Sequence, residues 1–148
     1  MKQVTIYTDG ACKGNPGPGG YGARLSYKGK FKEIGQGYKK TTNSRMELLA
    51  VIASLELLKE PCRVSVYSDS RYVVDSVNKG WLESWSAGKF KGRKNADLWK
   101  RLEKQIKTHV VDFWWVRGHS GEKGNERADM LANMATEGRR IDDEGYEA

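Results

Sequence analysis

Hydrophobic and polar residues alternate along the N-terminal part of the chain in a way that predicts three consecutive strands. The two-residue period of a strand runs over residues 3–8, and Asp9, in an Asp-Gly pair, marks its end. Glycine and proline dominate residues 13–20, which are therefore expected to turn. Residues 21–27 and 31–38 alternate again on either side of a Lys-Gly pair and predict an antiparallel hairpin.

After the hairpin, segments with a helical period and segments with a strand period follow one another. In order, they predict a helix over residues 45–60 ended by Pro61, a strand over 63–68, a helix that stops at Gly80, a cationic insert over 79–94, a helix over 95–107, a strand over 110–116 and a helix over 125–136. The first of these helices is apolar nearly all round and should be covered on most sides. Strands separated by helices predict an α/β fold with a mixed sheet.

The same pattern predicts one domain and a tail. Residues 1–138 contain every periodic element, whereas residues 139–148 are acidic and aperiodic and are expected to be flexible or to cover an edge of the sheet. A chain of 148 residues can bury one substantial core but has no room for a second domain.

Several large aromatic residues are assigned to that core. Trp99 lies on the apolar stripe of its helix, so its ring is expected to be buried. Val111, Phe113 and Trp115 share one face of the last strand and are expected to be core as well. Trp114 lies on the opposite face, and no function is assigned to it.

The charge balance favours a polyanionic partner. The chain has 26 Lys and Arg residues against 19 Asp and Glu, a net charge of +7 and an isoelectric point of about 9.4. No segment approaches the roughly 18 apolar residues of a membrane span, and the N-terminus has no apolar signal core, so a cytoplasmic protein without membrane contact is expected. Cys12 and Cys62 stand far apart, which argues against a disulfide scaffold or a zinc site.

Four acids, Asp9, Glu47, Asp69 and Asp129, fall where a strand meets a turn or where a helix begins. These are the places at which α/β proteins usually bind ligands. Each alone also has a simpler structural explanation. Asp9 could be a turn residue, Asp69 a helix N-cap and Asp129 a first-turn acid. Glu47 could complete a capping box with Ser44.

Together, the four acids indicate metal-dependent chemistry. Carboxylates from separate elements would repel one another in a folded protein unless protons or cations neutralised them. Mg²⁺ is the natural neutraliser because it binds carboxylates, water and phosphate oxygens, and two ions about 3.5–4 Å apart can activate water and stabilise a leaving oxygen. A basic protein with an acidic metal site is typical of a nuclease.

Five sequence blocks follow one another along the chain and bring a family into view. They are Thr8-Asp9-Gly10-Ala11-Cys12, Asn15-Pro16-Gly17-Pro18-Gly19-Gly20-Tyr21-Gly22, Thr41-Thr42-Asn43-Ser44-Arg45-Met46-Glu47-Leu48, Ser68-Asp69-Ser70, and Gly118-His119-Ser120-Gly121 with Asn125-Glu126-Arg127-Ala128-Asp129. In this order they resemble the blocks of bacterial type 1 ribonuclease H, over nearly the whole chain. The resemblance implies a ribonuclease H-like fold, a five-stranded mixed sheet with three antiparallel strands and then two parallel ones, flanked by helices.

The resemblance also implies the chemistry. Asp9, Glu47, Asp69 and Asp129 would hold two Mg²⁺ ions, with Asp9 bridging them and Mn²⁺ as an alternative metal. The enzyme would be an endonuclease that hydrolyses the RNA strand of an RNA/DNA hybrid, leaving 3′-hydroxyl and 5′-phosphate ends. His119 would move protons or assist product release from a mobile loop. A monomer is expected, with a single-stranded DNA-binding protein as a candidate partner.

Substrate contacts carry over from the same blocks. The expected contacts to the RNA strand are Asn15, Asn43 and Ser44, and those to a DNA phosphate are Lys40, Thr42 and Asn95. A basic protrusion over residues 79–95 would grip the DNA strand through Trp81, Trp85, Lys89, Lys91, Arg93 and Lys94. Lys40 replaces a more usual arginine, and the protrusion is shorter than in enterobacterial relatives, so weaker binding is expected.

Three other functions would explain part of these observations. A DNA-cutting nuclease or resolvase of the same fold would share the acids but not the RNA contacts. A non-catalytic module that binds hybrids or double-stranded RNA would explain the charge but not the four acids. A reverse-transcriptase nuclease domain would be part of a longer chain, whereas this one starts with Met1 and ends in a tail of its own.

Overall fold

The sheet is the framework of the molecule, and its strands are those whose alternation is visible in the sequence. In a computed structural model that describes residues 1–147, the elements are β1 (Lys2–Cys12), β2 (Gly17–Tyr27), β3 (Lys30–Thr41), α1 (Asn43–Glu56), β4 (Cys62–Ser68), α2 (Arg71–Asn78), α3 (Trp81–Ala87), α4 (Ala96–Thr108), β5 (Val110–Trp115), α5 (Lys123–Glu137) and β6 (Arg140–Ile141). The strand order is β5-β4-β1-β2-β3-β6. Strands β1 to β3 are antiparallel, and β4 and β5 run parallel to β1, which confirms the predicted α/β class.

The first two strands are longer than the sequence predicts. Residues 17–20, expected to turn, belong to β2, where Gly19 and Gly20 pair with Cys12 and Ala11 of β1. Strand pairing satisfies the backbone groups of this stretch, but glycines leave no side-chain alternation from which the strand could be recognised. Asp9 therefore lies inside a strand, and its assignment to a turn is wrong.

A sixth strand was not predicted. Arg140 and Ile141 of the tail pair in parallel with Gly37 and Tyr38 of β3 and so cover that edge of the sheet. Two residues are too few for a period to show, so only tertiary contact reveals this strand.

Helix α1 packs on one face of the sheet, against β1 and β2, and α4 packs on α1. The apolar residues of α1 are buried on nearly all sides of the helix, as predicted. The helix ends at Glu56 rather than at Glu60, ahead of the position where Pro61 would stop it. Trp99 of α4 is completely buried beneath α3, which confirms its core assignment.

Trp115 departs from its predicted place in the core. It is 40% exposed, because it is the final residue of β5, which is an edge strand of the sheet. The indole Nε1 donates to the Asp69 carbonyl at 3.0 Å, and the Arg71 guanidinium lies over the ring at 3.9 Å. Phe113 is buried as predicted.

Helix α5 lies on the opposite face of the sheet, close against the backbone of β2. A Cβ atom at Gly22 would lie 2.5 Å from the backbone nitrogen of Ala132, a separation that side chains cannot adopt. The helix thus reaches the sheet only because β2 has no side chain at this point. Among residues 1–147, no helix combines the length and the apolar character needed to cross a membrane.

This close approach generates a prediction. Gly22→Ala should lower the free energy of unfolding by about 2–4 kcal/mol, because the new methyl group must push α5 away from β2. Urea unfolding would measure the change. Gly88→Ala is the matched control, since its nearest atom would be 3.7 Å away, and it should change stability by less than about 0.5 kcal/mol. Equal effects of the two substitutions would contradict the packing argument.

Candidate active site

Asp9 and Asp69 come together where the pairing between the parallel strands β1 and β4 ends. The register of β1 and β4 runs up to the pair Thr8 and Ser68, and the next residues are Asp9, still within β1, and Asp69, directly after β4. Adjacent parallel strands that end at one edge bring their following residues side by side. Asp69 is not the N-cap of α2, as one interpretation had it, because the Ser70 hydroxyl accepts from the Val73 N–H at 3.3 Å.

Glu47 reaches the same edge from α1. The N-cap of α1 is Thr42, whose hydroxyl accepts from the Arg45 N–H at 3.3 Å, so the predicted capping box of Ser44 and Glu47 is wrong. The Glu47 carboxylate instead lies next to those of Asp9 and Asp69. The helix passes so close to the strand that a Cβ at Gly10 would be 2.5 Å from the Glu47 nitrogen.

Asp129 belongs to the second turn of α5, which begins at Lys123, so it is not a first-turn acid. Its carboxyl group is close enough to that of Asp9 to contribute to the raised pKa of Asp9. The Asn133 amide donates to Oδ1 of Asp129 at 3.3 Å. The simpler structural explanations of all four acids therefore fail.

The acids form a trio with a fourth member beside it. Asp9, Glu47 and Asp69 each offer one carboxylate oxygen, and these oxygens lie within 4.8 Å of one another. Asp129 adjoins Asp9 but is outside this trio. The sequence thus predicted the members of the cluster, and the structure distinguishes a tight group of three.

Crowding raises the pKa values of these acids. Burial, and then the Asp69 carboxylate, raise the pKa of Asp9 to about 8, although the Gly10 N–H donates to its Oδ1 at 2.8 Å. Burial and Asp69 likewise raise the pKa of Glu47 to about 7. Burial also raises the pKa of Asp69. Without a cation, the cluster therefore holds protons at neutral pH.

These properties fit a hard divalent cation. Each donor is a carboxylate oxygen, which is the ligand type that Mg²⁺ and similar ions prefer. A cation would also remove the repulsion that raises the pKa values of Asp9 and Glu47. The residues that could hold it are Asp9, Glu47 and Asp69, with Asp129 next to them.

The loop before α5 runs along the cluster. A Cβ at Gly118 would lie 2.8 Å from an Asp69 carboxylate oxygen, so the loop backbone is close to this acid. His119 follows, exposed and with a left-handed φ of 55°. Its imidazole is near enough to Asp69 to counteract part of the effect of burial on the pKa of that carboxyl. The predicted proton-carrying histidine therefore borders the acids.

Five of the predicted substrate contacts form a polar strip at the start of α1, made of Asn15, Thr42, Asn43, Ser44 and Asn95. The Asn15 side-chain oxygen accepts from the Asn43 N–H at 2.9 Å. The hydroxyl groups of Thr42 and Ser44 are 3.4 Å apart, and the Asn95 amide donates to Ser44 at 3.4 Å. Lys40 is exposed at the end of β3. Residues assigned to the two nucleic-acid strands are thus neighbours.

The protrusion is anchored by its aromatic residues. Trp85 packs edge-on against the buried Trp99, with ring centroids 5.1 Å apart, and Arg93 lies over Trp85 at 4.4 Å. Trp81 is 43% exposed. The cations at positions 89, 91, 93 and 94 are exposed. Phe90 lies between these cations in the sequence, but its ring is buried.

Two polar residues near the strip were missed. Arg45 is buried in α1, and the Tyr72 hydroxyl accepts from Asn95 at 3.0 Å. An arginine at the start of a helix that is expected to be covered on most sides is a signal that could have identified Arg45, because a buried charge requires partners. Tyr72 carries no such signal.

Comparisons with known proteins agree with these observations. The RNase H family model matches residues 1–137. A ribonuclease H from Desulforamulus reducens is 54% identical over 140 residues, covering 91% of this chain and 88% of that protein. The structure of LC9-RNase H1, a type 1 RNase H with the type 2 active-site motif, is similar with a TM-score of 0.84 and 32% identity, covering 93% of this chain and 73% of the other. LC11-RNase H1, solved with an RNA/DNA hybrid, has a TM-score of 0.69 and 26% identity, covering 90% and 96% of the two chains.

The raised pKa of Asp9 predicts a pH-dependent loss of stability. Aspartate in an unfolded chain ionises near pH ~4. Because the folded, metal-free protein keeps Asp9 protonated up to about pH 8, its stability should fall as the pH rises between these values. Asp9→Asn removes this effect, so in chelator at pH 9 it should raise the free energy of unfolding by on the order of 2 kcal/mol.

Urea unfolding at pH 5 and pH 9 would check this expectation. The control is Asp112→Asn, which alters an exposed acid of β5 and should not change the pH dependence. An Asp9→Asn variant no more stable than the parent at pH 9 would show that the acids do not repel one another as described.

Proposed function

The chain belongs to the ribonuclease H family, and on this premise we propose that Asp9, Glu47, Asp69 and Asp129 are the catalytic acids with which it hydrolyses the RNA strand of RNA/DNA hybrids. The family predicted from the five sequence blocks is confirmed, and the protein is a ribonuclease H. The observation that carries the proposal is the trio of carboxylates within 4.8 Å, drawn from β1, α1 and the end of β4.

Divalent cations belong to this proposal. When bound at the acids, they would activate water and stabilise the oxygen that leaves phosphorus. We propose Mg²⁺ as the ion, in two copies with substrate and replaceable by Mn²⁺, on the strength of the family resemblance and the all-carboxylate donor set. The strands and α1 hold the donors in place before any ligand arrives, which lowers the cost of assembling the site.

His119 would handle a proton at the edge of the site. Its loop passes along Asp69, and the exposed imidazole can exchange protons with solvent while it faces the acids. Product ends would be a 3′-hydroxyl and a 5′-phosphate, as in the family that the sequence resembles. The glycines at 118 and 121 flank a loop whose position can change as substrate enters and product leaves.

Recognition of the hybrid would use the polar strip. Only donors and acceptors close to the 2′-hydroxyl can distinguish ribose from deoxyribose, and Asn15, Asn43 and Ser44 supply them. Lys40, Thr42 and Asn95 would hold a phosphate of the DNA strand. LC11-RNase H1, which shares this fold, was solved with an RNA/DNA hybrid, and that supports the substrate class.

The other functions considered fit less well. A pure binding module has no use for a carboxylate cluster, which repels phosphate unless a cation is present. A DNA nuclease has no use for a strip of 2′-hydroxyl contacts. The resemblance alone supports action as a monomer and contact with a single-stranded DNA-binding protein. Action in the cytoplasm, the location expected from the sequence pattern, is also part of the proposal.

Cleavage assays test the chemistry. We expect an end-labelled RNA to be cut in a hybrid, but not as a single strand or an RNA duplex, and only with a divalent cation. Asp9→Asn or Asp69→Asn should lower kcat by at least about 1,000-fold, and His119→Ala by about 100-fold. Asp112→Asn, an exposed acid away from the cluster, is the control. Cleavage of DNA, or hybrid cleavage in chelator, would refute the proposed function.

Salt dependence tests the protrusion. Replacing Lys89, Lys91 and Lys94 by alanine should weaken binding and reduce the slope of log K against log salt by about 1 for each phosphate that the variant no longer neutralises. Arg93 is kept because it packs on Trp85. Binding would be measured with fluorescent hybrid in the Asp9→Asn background, in chelator.

A charge-matched control is available at the far end of the β2–β3 hairpin. Alanine at the exposed Lys28, Lys30 and Lys32 removes the same charge from another part of the surface. If both triple variants change the slope equally, the protrusion is not a specific binding surface.

A further inference from the structure

A buried arginine joins the C-terminal tail to the polar strip. The Arg45 side chain is 3% exposed and lies where α1, the start of α4 and the tail meet. Its Nε and one Nη2 hydrogen bond go to Asp143 at 2.8 and 3.0 Å. Asp97 accepts at 2.8 and 2.9 Å from Nη2 and Nη1, and the Asn95 oxygen accepts from Nη1 at 3.3 Å. All five N–H donors of the guanidinium are therefore used.

Arg45 fixes which way the Asn95 side chain points. Because the Asn95 oxygen accepts from Arg45, its amide nitrogen is left to donate to Ser44 and Tyr72. Nothing local would set this orientation, since Asn95 has a left-handed φ of 61° and its side chain makes no capping bond to α4. Long-range contacts alone hold it in place.

Asp143 in turn fixes Arg45. Its carboxylate is 4% exposed and also accepts from the Thr41 hydroxyl at 2.6 Å. Without this carboxylate, a buried guanidinium would lose two of its hydrogen bonds and would have to move towards other partners. Asp143 lies beyond residues 1–137, the part that the family model matches.

We propose that Asp143 is a positioning residue for substrate binding: the tail, acting through Arg45, orients Asn95 and Ser44 towards the hybrid. The inference rests on the proposed function, because these two side chains matter in this way only if they contact nucleic acid. It assigns to the C-terminal tail a part in substrate affinity and no part in the chemical step.

The sign of the effect separates positioning from simple electrostatics. Removing a negative charge beside a phosphate-binding strip should strengthen binding if charge alone matters. If Asp143 positions Asn95, its removal should weaken binding instead. The neighbouring Asp142 is the matched control, because it is exposed and, within residues 1–147, forms an ion pair only with the exposed Lys39, at 3.6 Å.

Steady-state kinetics on a hybrid would test the proposal. We expect Asp143→Asn to raise KM by about 5- to 20-fold with kcat within about twofold, whereas Asp142→Asn leaves KM unchanged or lowers it. Thr41→Val removes one hydrogen bond to the Asp143 carboxylate and should raise KM less, which provides a milder variant if Asp143→Asn folds poorly. Circular dichroism and urea unfolding would set a temperature at which every variant is folded.

A double-mutant cycle with Asn95→Ala completes the test. If Asp143 acts through Asn95, then Asp143→Asn should raise KM little further in the Asn95→Ala background. Should Asn95→Ala raise KM while Asp143→Asn and Thr41→Val do not, the inference fails and the proposed function stands. Should Asn95→Ala leave KM unchanged, the substrate contact itself is wrong and the inference falls with it. A fall in kcat with unchanged KM in Asp143→Asn would also overturn it.

Discussion

The structure depends on the fold holding together three acidic side chains that repel one another when they are ionised. Asp9, Glu47 and Asp69 place carboxylate oxygens within 4.8 Å of one another. Burial and the neighbouring negative charge make the carboxyl groups of Asp9 and Glu47 harder to ionise. Such a cluster of acids can exist only if the interactions between the surrounding strands and helix are stronger than the repulsion between the acids. Strand pairing between β1 and β4 and the tight contact of α1 with β1 provide that restraint. The same repulsion favours cation binding, because a bound cation would neutralise the carboxylates.

Glycine residues help to position the acids, because they let neighbouring elements approach closely. Gly10 lets α1 approach β1, Gly22 lets α5 approach β2, and Gly118 lets the His119 loop pass along Asp69. In each case the main chain comes closer to its neighbour than any side chain would allow. The acids and their neighbours are therefore positioned by main-chain contact, which is stiffer than contact between flexible side chains.

Local pattern was enough to predict most elements and to single out the three acids that the structure brings together, but not their surroundings. The order of strands and helices followed from apolar periods that are long and regular. The glycine-rich start of β2 and the two residues of β6 have no period, so tertiary pairing alone reveals them. Thr42 rather than Ser44 caps α1, because chain direction after β3 decides where the helix begins. The Arg45–Asp143 pair joins residues 98 apart, a distance beyond the reach of any local pattern.

The dispersal of the acids along the chain has a consequence for protein synthesis. Asp9 is made early, but Asp129 belongs to α5, and Asp143 comes later still. The ribosome releases the chain from its N-terminus, and the elements of one domain become stable together. Asp129 can therefore join the other acids only after α5 has been made. The arrangement of the cluster is for this reason a property of the folded domain as a whole, and not of the N-terminal strands that contain its first member.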